Sequence, residues 1–212
     1  MSSLSGVGVL DKAISVLRAL EREGPLSLAR LQVESGLPRA TAHRLAVALE
    51  AHGLVRRDAD GRFALGLGLI ALGHEAAEGF PLREAAIGAL ERLRDQTGES
   101  VQLWVREGDA RRCVVSLQSP HGLRWIVPEG VLFPLDRGSA GRVLREDPSP
   151  PWVQSVEERE PGVASVSAPV VDRARRTIGA VSISGPIERV SREPAARFAP
   201  ALVAAAASIA VS

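Results

Sequence analysis

Arginines and small polar residues cluster at the start of a segment with helical periodicity, Arg39 to Ala51. The apolar positions of this segment share one helix face: Ala42, Leu45, Ala46 and Leu49. At 100° per residue, Ala40, Thr41 and Arg44 fall on the opposite face, and Arg39 stands at the entrance. A helix with short outward side chains can enter the DNA major groove, where Arg44 and Thr41 would contact base edges or phosphates.

A hairpin pattern follows this helix and adds further arginines. In "LVRRDADGRFALG" the apolar residues alternate with polar ones, and Asp60-Gly61 supplies the turn. Arg57 and Arg62 are left outside, where they can contact backbone phosphates. A polar helix face alone is more often merely solvated. The combination of a helix, a tight Gly-Leu-Pro turn, a second helix and a hairpin instead favours a winged helix-turn-helix. His43, at the helix flank, is expected to pack or cap.

Two serine-bearing segments suggest a second site. In "GVASVSAPVV" Val163 and Ser165 share one strand face, and in "TIGAVSISGP" Ser182 and Ser184 share another. If these faces meet, several hydroxyls line one cavity. "GSAG" at 138–141 opens a helix whose free N–H groups could hold a carboxylate. Hydroxyls with a helix start, and without a fixed arginine, suit a small organic acid. The pattern alone favours the simpler interpretation, in which the serines lie on a solvated strand face and the glycines only allow close packing.

Motifs for catalysis, cofactors and metals are missing. The sequence has no G-x-S-x-G elbow, H-E-x-x-H motif, Walker loop or dinucleotide-binding fingerprint. The four histidines lie far apart, and Cys113 is the single cysteine. We therefore predict no catalytic residue, no cofactor and no metal site. An enzyme without a recognisable motif and a pure protein-interaction module remain as alternatives.

The elements that position these residues divide the chain into two parts. Residues 1–66 predict three helices and a hairpin, with Ser27 as an N-cap and Pro38 as the first residue of the third helix. Residues 67–80 predict a linker helix. Residues 81–212 predict an α+β domain with strands "SVQLWVREG", "RRCVVSLQS" and "LRWIVPE", the two serine strands, and flanking helices. The whole chain is thus expected to be α+β.

Composition sets outer limits on function. The 212 residues carry a net charge of only +1, so the overall charge does not by itself indicate nucleic-acid binding. A hydrophobic fraction of 45% is sufficient for packed cores. No apolar run reaches the roughly 20 residues of a membrane helix, and the chain does not open like a signal peptide. We therefore expect a cytoplasmic protein with no membrane partner.

The first part resembles a known family. "GLPRATAHRLAVALEAHGLV" and the wing "GRFALG" look like the DNA-binding domain of IclR-type bacterial transcriptional regulators. They are especially similar to an actinobacterial subgroup linked to amino-acid, notably leucine, biosynthesis. The resemblance implies operator DNA as partner, and homodimers or tetramers. The residues implied to face DNA are Arg39, Ala40, Thr41, His43, Arg44, Arg57 and Arg62. Ala40 replaces a hydroxyl residue common at that position.

The second part resembles the effector domain of the same family. "EREPGVASVSAPVV" and "TIGAVSISGPIERV" are similar to its most recognisable segment, which has a GAF-like fold and binds small acids or aromatics. By position, the implied effector-binding residues are Ser139, Ala140, Ser155, Ser165, Ser182 and Ser184. The implied effector is a small organic molecule, such as an amino-acid-pathway metabolite. The segment "REDPSPP" is shorter than in the family by roughly 20–40 residues of helix, which leaves the cavity more open or alters sensing.

Overall fold

The structure of the chain is a computed structural model that describes residues 7–146 and 148–209. The chain forms two compact units, one ending at Ala76 and the other beginning at Ala77. Each unit has its own hydrophobic core. The outer ends of the predicted first and last domains, 1–6 and 210–212, lie outside the described residues.

Helices α1 (Gly8–Glu23), α2 (Leu28–Ser35) and α3 (Arg39–Ala51) pack together in the first unit. Their shared core includes the apolar stripe predicted for α3, together with Val16, Ala19, Leu20, Leu26, Leu31, Leu37, Val55 and Phe63. Ser27 caps α2 by accepting a hydrogen bond from the Arg30 N–H. Gly36, in the left-handed region at φ 66°, makes the tight turn into α3.

The start of α3 lies one residue later than the sequence suggests. Pro38 was expected inside the helix, but its ψ of 142° is extended and it is the N-cap. Its carbonyl accepts the first helical hydrogen bond, from the Ala42 N–H at 2.9 Å. Arg39 is therefore the first helical residue, and its N–H and the next ones have no partner within the helix.

A short hairpin completes the first unit as a winged helix-turn-helix. Strands β1 (Val55–Arg57) and β2 (Phe63–Leu65) pair antiparallel. Leu26, between α1 and α2, adds a bridge to Phe63 through two hydrogen bonds of 2.8 Å. This bridge fixes the wing to the helices and buries Phe63.

Helix α4 (Gly68–Glu78) corresponds to the predicted linker helix. None of its residues is buried, although Ile70 and Leu72 are large and apolar. Val9, Leu10 and Ile14 on α1 are likewise exposed. The apolar residues of α1 are therefore only partly buried in the core.

The second unit is built on a six-stranded antiparallel sheet of order β5-β4-β3-β8-β7-β6. The strands are β3 (Ser100–Glu107), β4 (Ala110–Leu117), β5 (Leu132–Pro134), β6 (Val153–Val156), β7 (Val163–Val171) and β8 (Thr177–Pro186). The helices are α5 (Pro81–Thr97), α6 (Ser139–Arg145), α7 (Ile187–Val190) and α8 (Pro194–Ser208). This is the α+β architecture that the sequence predicts.

The two faces of the sheet have different partners. One face packs on α5 and α8 through residues such as Leu103, Val166 and Ile183. The opposite face packs on α6 and carries Trp104 together with the serines of β7 and β8. Because both faces are covered, the central strands contain few exposed residues.

One predicted strand is wrong. Residues 124–128 of "LRWIVPE" form no strand, and β5 pairs with β4 instead. The backbone of this segment is held by side chains: Ser100 donates to the Trp125 carbonyl and Arg189 to the Leu123 carbonyl. The short elements β6 and α7 were not predicted from the sequence.

A buried ion pair fixes the end of β8. Glu99 is only 2% exposed, and Arg189 donates two hydrogen bonds to its carboxylate, one of them 2.8 Å long. A Cβ at Gly185 would lie 2.6 Å from the Glu99 carboxylate, so this position accepts only glycine.

We expect Glu99→Ala to lower the free energy of unfolding by about 3 kcal/mol. Removing one partner leaves Arg189 without its counterion, and the partial exposure of Arg189 puts the loss at the low end of the range for buried pairs. Urea denaturation followed by circular dichroism measures it. Arg176→Ala, which breaks an exposed pair with Asp172, is the matched control and should not move the midpoint. Equal midpoints for both variants would contradict the structural role of Glu99.

Candidate functional site

The outer face of α3 is small and basic. Arg39, Ala40, His43 and Arg44 are exposed, and Thr41 is half-buried. No carboxylate of the described residues pairs with Arg39 or Arg44. Two guanidinium groups are thus free to meet an anionic partner on a face that no bulky side chain holds away from it.

His43 and Arg57 both contact the ring of Phe63. The His43 ring lies edge-on to it at 6.3 Å, and the Arg57 guanidinium lies 4.1 Å from its centre. His43 therefore packs, as expected, and links α3 to the wing. Arg57 also contacts Glu50 at 3.5 Å, which offsets part of its charge.

The wing arginines differ in how far their charge is offset. Arg62 pairs with Asp58 at 2.8 Å and with Asp60 at 3.0 Å. Loss of water contact pushes the pKa of Asp58 upward, but hydrogen bonds from the Arg62 amide and guanidinium hold it below its ordinary value. Arg56, which the hairpin pattern also leaves outside but which is not among the residues implied to face DNA, is exposed and has no carboxylate partner among the described residues.

A cavity on the α6 side of the sheet contains all the predicted effector residues. Its empty space measures about 460 Å³, including the part open to solvent. The residues that the structure brings together here are Ser139, Ala140, Ser155, Ser165, Ser182 and Ser184. The two serine strands meet in register, with Ser165 opposite Ser184 and Ser167 opposite Ser182. Trp125 and Val163 supply apolar lining.

The serine hydroxyls form a hydrogen-bonded chain. Ser139 Oγ lies 2.8 Å from Ser165 Oγ and 2.7 Å from Ser167 Oγ, which in turn lies 2.7 Å from Ser182 Oγ. Separately, Ser184 donates to Gln102 Oε1 at 2.9 Å. Ser167, at the centre of the chain, shares the predicted strand face of Val163 and Ser165 but is not one of the implied effector-binding residues, and it is fully buried behind the cavity wall.

The start of α6 already holds a carboxylate. The Gly138 N–H donates to Glu158 at 2.9 Å, and the same carboxylate contacts Arg142 at 2.8 Å. The N–H groups at 138–141 were expected to be free, but that of Gly138 is already bonded to Glu158. Ser139 and Ala140 still line the cavity.

The expectation that the cavity lacks a fixed arginine is also wrong. Arg111, on β4, lines it and is only 1% exposed. It donates to the Pro134 carbonyl, and its guanidinium lies 5.2 Å from the centre of the Trp104 ring and 5.8 Å from that of Phe133. Burial, together with the positive charge of Arg159, lowers the pKa of Arg111 to about 10. A carboxylate at Asp136 opposes this shift but forms no ion pair with it.

A β-bulge points Arg111 toward the cavity. Leu103 pairs with Val115 while Trp104 pairs with Cys113, so Val114 is an extra residue in β4. Strict alternation would place Arg111 on the same face as Val115, against the helices. The bulge reverses the alternation, and Arg83 on α5 donates to the Val114 carbonyl at 2.6 Å.

The glycines of "GSAG" make room for this side chain. A Cβ at Gly141 would lie 2.5 Å from Arg111 Nη1 and would overlap the Leu135 carbonyl. A Cβ at Gly138, where φ is +78°, would lie 3.3 Å from Arg111 Nη2. The glycines thus let α6 approach β4 closely around a buried guanidinium.

The described residues offer nothing for metal chemistry. In the ranges 7–146 and 148–209, no three His, Cys, Asp or Glu side chains lie close enough to hold a metal ion. Burial raises the pKa of the Cys113 thiol to about 12, so this thiol stays protonated. No helix of the described chain has the length and apolar character needed to cross a membrane.

Two family models match the chain. The IclR helix-turn-helix domain matches residues 9–59. The bacterial transcriptional regulator IclR C-terminal domain matches residues 74–146 and 151–211. The second match is interrupted at the shortened segment between α6 and β6.

Known proteins agree with these models. The chain is 31% identical to the glycerol operon regulatory protein of Streptomyces coelicolor, over 92% of this chain and 91% of that protein. It shares its fold with an IclR regulator from Alicyclobacillus acidocaldarius (TM-score 0.82, 23% identity, 96% and 97% of the two chains). It also shares it with an IclR homologue from Microbacterium hydrocarbonoxydans complexed with 4-hydroxybenzoate (TM-score 0.80, 18% identity, 95% and 97%). The chain belongs to the IclR family of DNA-binding transcriptional regulators with a C-terminal effector-binding domain, and it is not an enzyme.

Proposed function

We propose that this regulator binds operator DNA by placing α3 in the major groove. The observation that carries the proposal is the pair of unpaired guanidinium groups, Arg39 and Arg44, on a face of otherwise small residues. Thr41 and His43 flank the groove contacts, and Ala40 allows close approach. Arginine in this geometry recognises guanine edges or phosphates.

The wing is proposed to contact phosphates beside the groove. Arg57 and Arg62 contribute there, but each is already attracted to carboxylates of its own unit. DNA must compete with these carboxylates for the arginines, so their contribution is smaller than that of a free arginine. Arg56, next to Arg57 on β1, is proposed to contact phosphates as well, and no carboxylate of the described residues pairs with it.

Operator binding is proposed to need at least a homodimer. One winged helix contacts too few base pairs to specify a site, and two-fold dimers solve this with paired half-sites. The exposed apolar residues of α1 and α4, among them Leu10, Ile14, Ile70 and Leu72, are suitable for such an interface. Since the partner is chromosomal DNA, we place the protein in the cytoplasm.

The cavity of the second unit is proposed to bind a small carboxylate effector. Ser139, Ala140, Ser155, Ser165, Ser182 and Ser184 supply its polar wall, and Trp125 and Val163 supply its apolar wall. The bound 4-hydroxybenzoate of the Microbacterium homologue supports an acid with an apolar body. A metabolite of amino-acid metabolism is the proposed source, as the resemblance to leucine-biosynthesis regulators implies.

A small polyol or its phosphate is the second candidate. The Streptomyces coelicolor relative is a glycerol operon regulator, and a wall of hydroxyls suits a polyol. A free polyol is neutral and a keto acid is an anion, so a binding panel containing glycerol beside branched-chain keto acids separates these two; a polyol phosphate is an anion and would bind with the acids.

Arg44→Ala should cost about 1–3 kcal/mol of specific DNA binding, because it removes a groove contact. The measurement is fluorescence anisotropy on a duplex that the wild-type protein selects from a random pool. The slope of log K against log salt should also flatten by about one unit. Arg62→Ala should weaken binding less, since Asp58 and Asp60 already hold that side chain.

The control is Arg18→Ala, which removes the same charge from α1, where Arg18 pairs with Glu21. This variant should bind DNA like the wild type. If Arg18→Ala and Arg44→Ala weaken binding equally, the effect is one of net charge and the groove assignment is wrong.

The double change Ser182→Ala and Ser184→Ala should abolish the ligand response yet leave operator binding intact. Ser182 belongs to the hydroxyl chain and Ser184 orients Gln102, so the double change removes two hydrogen bonds between neutral groups of the polar wall, each of about 0.5–1.5 kcal/mol, and leaves Gln102 without its fixed orientation. Calorimetry against branched-chain amino acids, their keto acids and glycerol measures it, with exposed Ser208→Ala as control. A ligand that binds wild type and double mutant equally well would place the effector site elsewhere.

A further inference from the structure

Three buried N–H donors in the cavity lining have no acceptor. They are Gln102 Nε2, Trp104 Nε1 and Arg111 Nε, and their residues are 1–2% exposed. All three residues lie on neighbouring strands β3 and β4, on the face that meets α6. A buried donor without a partner costs about 1–3 kcal/mol, so three in one wall call for an explanation.

The positive charge in this wall forms no ion pair, and Asp136 and Glu160 offset it only from a distance. No carboxylate of the described residues pairs with Arg111 or with the nearby Arg159, whose guanidinium lies 3.7 Å from the centre of the Phe133 ring. The two cations repel each other, as the lowered pKa of Arg111 reflects. Proteins rarely bury a charge without a counterion, because its loss of hydration is not repaid.

Most of the other polar side chains of the cavity already have partners within the protein. The three contacts among Ser139, Ser165, Ser167 and Ser182 use three of their four hydroxyl hydrogens. Glu158 is held by Gly138 and Arg142. The groups that lack a partner are therefore the three N–H donors on β3 and β4, and a negatively charged hydrogen-bond acceptor would suit them.

We propose that the effector presents an oxyanion, either a carboxylate or a phosphate-type group, to Gln102, Trp104 and Arg111, and that Arg111 selects effectors by charge. This rests on the proposed function of the cavity as the effector site, and it adds the ligand's chemistry and orientation. The acidic group binds on the sheet wall, and the serine chain and Trp125 contact the rest of the molecule.

The test compares each acid with its neutral amide of the same shape. The probes are 4-hydroxybenzoate with 4-hydroxybenzamide, 3-methylbutanoate with 3-methylbutanamide, and sulfate and phosphate as oxyanions without an organic body. Tryptophan fluorescence of the full chain reports binding, since Trp104 and Trp125 line the cavity. Sodium chloride at equal ionic strength is the blank. At least one acid should bind about 10- to 100-fold more tightly than its amide.

Two variants assign the preference to the sheet wall. Arg111→Met should reduce the acid-to-amide ratio to about one, because it weakens the acid far more than the amide, whose neutral carbonyl gains less from a guanidinium. Its thermal midpoint without ligand should equal or exceed that of wild type, because an apolar side chain replaces a charge that forms no ion pair. Trp104→Phe keeps an aromatic ring and deletes only Nε1–H, so it should weaken the acid several-fold and the amide less; isothermal calorimetry follows it.

The outcomes separate this inference from the proposed function. If amides or glycerol bind as well as acids, and the serine double mutant abolishes that binding, the cavity is the effector site but Arg111 does not select charge. If an acid binds and its preference over the amide survives in Arg111→Met, the oxyanion binds elsewhere and the inference is wrong. If no acid, amide, polyol or inorganic oxyanion binds at millimolar concentration, both proposals fail.

Discussion

The extra residue in β4 is the constraint on which the cavity beneath α6 depends. Val114 breaks the alternation of the strand and turns Arg111 from the helix-packed face to the face beneath α6. Arg83 stabilises the bulge through the Val114 carbonyl and through Glu129, whose carboxylate also accepts the Ser116 N–H. Without the bulge, a guanidinium would enter the apolar core between the sheet and α5, where nothing could offset its charge.

Several neighbouring residues accommodate the buried guanidinium of Arg111. Gly138 and Gly141 leave space around the guanidinium, and Trp104 and Phe133 enclose it. The serine chain, by contrast, is internally satisfied and rigid, because each hydroxyl is held by the next. The serine wall of the cavity thus has hydrogen-bond partners within the protein, whereas the N–H donors on β3 and β4 have none. Buried polar groups without hydrogen-bond partners are typical of functional sites, where the protein is less stable than it could be but binds a ligand.

Much of the first unit follows from local sequence. Helical periodicity, Ser27, Gly36 and the Asp60-Gly61 turn are short-range signals, and they predicted the winged helix-turn-helix within a residue or two. Alternation also predicted which serines of each strand share a face, but it did not predict that Ser165 pairs with Ser184, because that depends on how the two strands align. The ion pairs of Arg57 and Arg62 were not predicted, because the sequence shows carboxylates near the turn but not which arginine each one contacts.

Arg111 was missed for a different reason. Its orientation depends on a bulge that no local pattern marks, and on Arg83, which lies about 30 positions earlier in the chain. Glu158 at the start of α6 and the pairing of β5 with β4 likewise depend on long-range contacts. Sequence reasoning therefore found the hydroxyls of the cavity but not its charge, and it placed the expected acid-binding group at α6 rather than on the sheet.

The most direct measurement of this account is a high-resolution crystal structure of the full chain with the tightest-binding carboxylate. The account predicts carboxylate oxygens about 3 Å from donors of Arg111 and Gln102, with Glu158 still bound to the Gly138 N–H. A carboxylate at the N–H groups of Ser139 and Ala140, with Glu158 displaced and the donors on β3 and β4 still unpartnered, would contradict it.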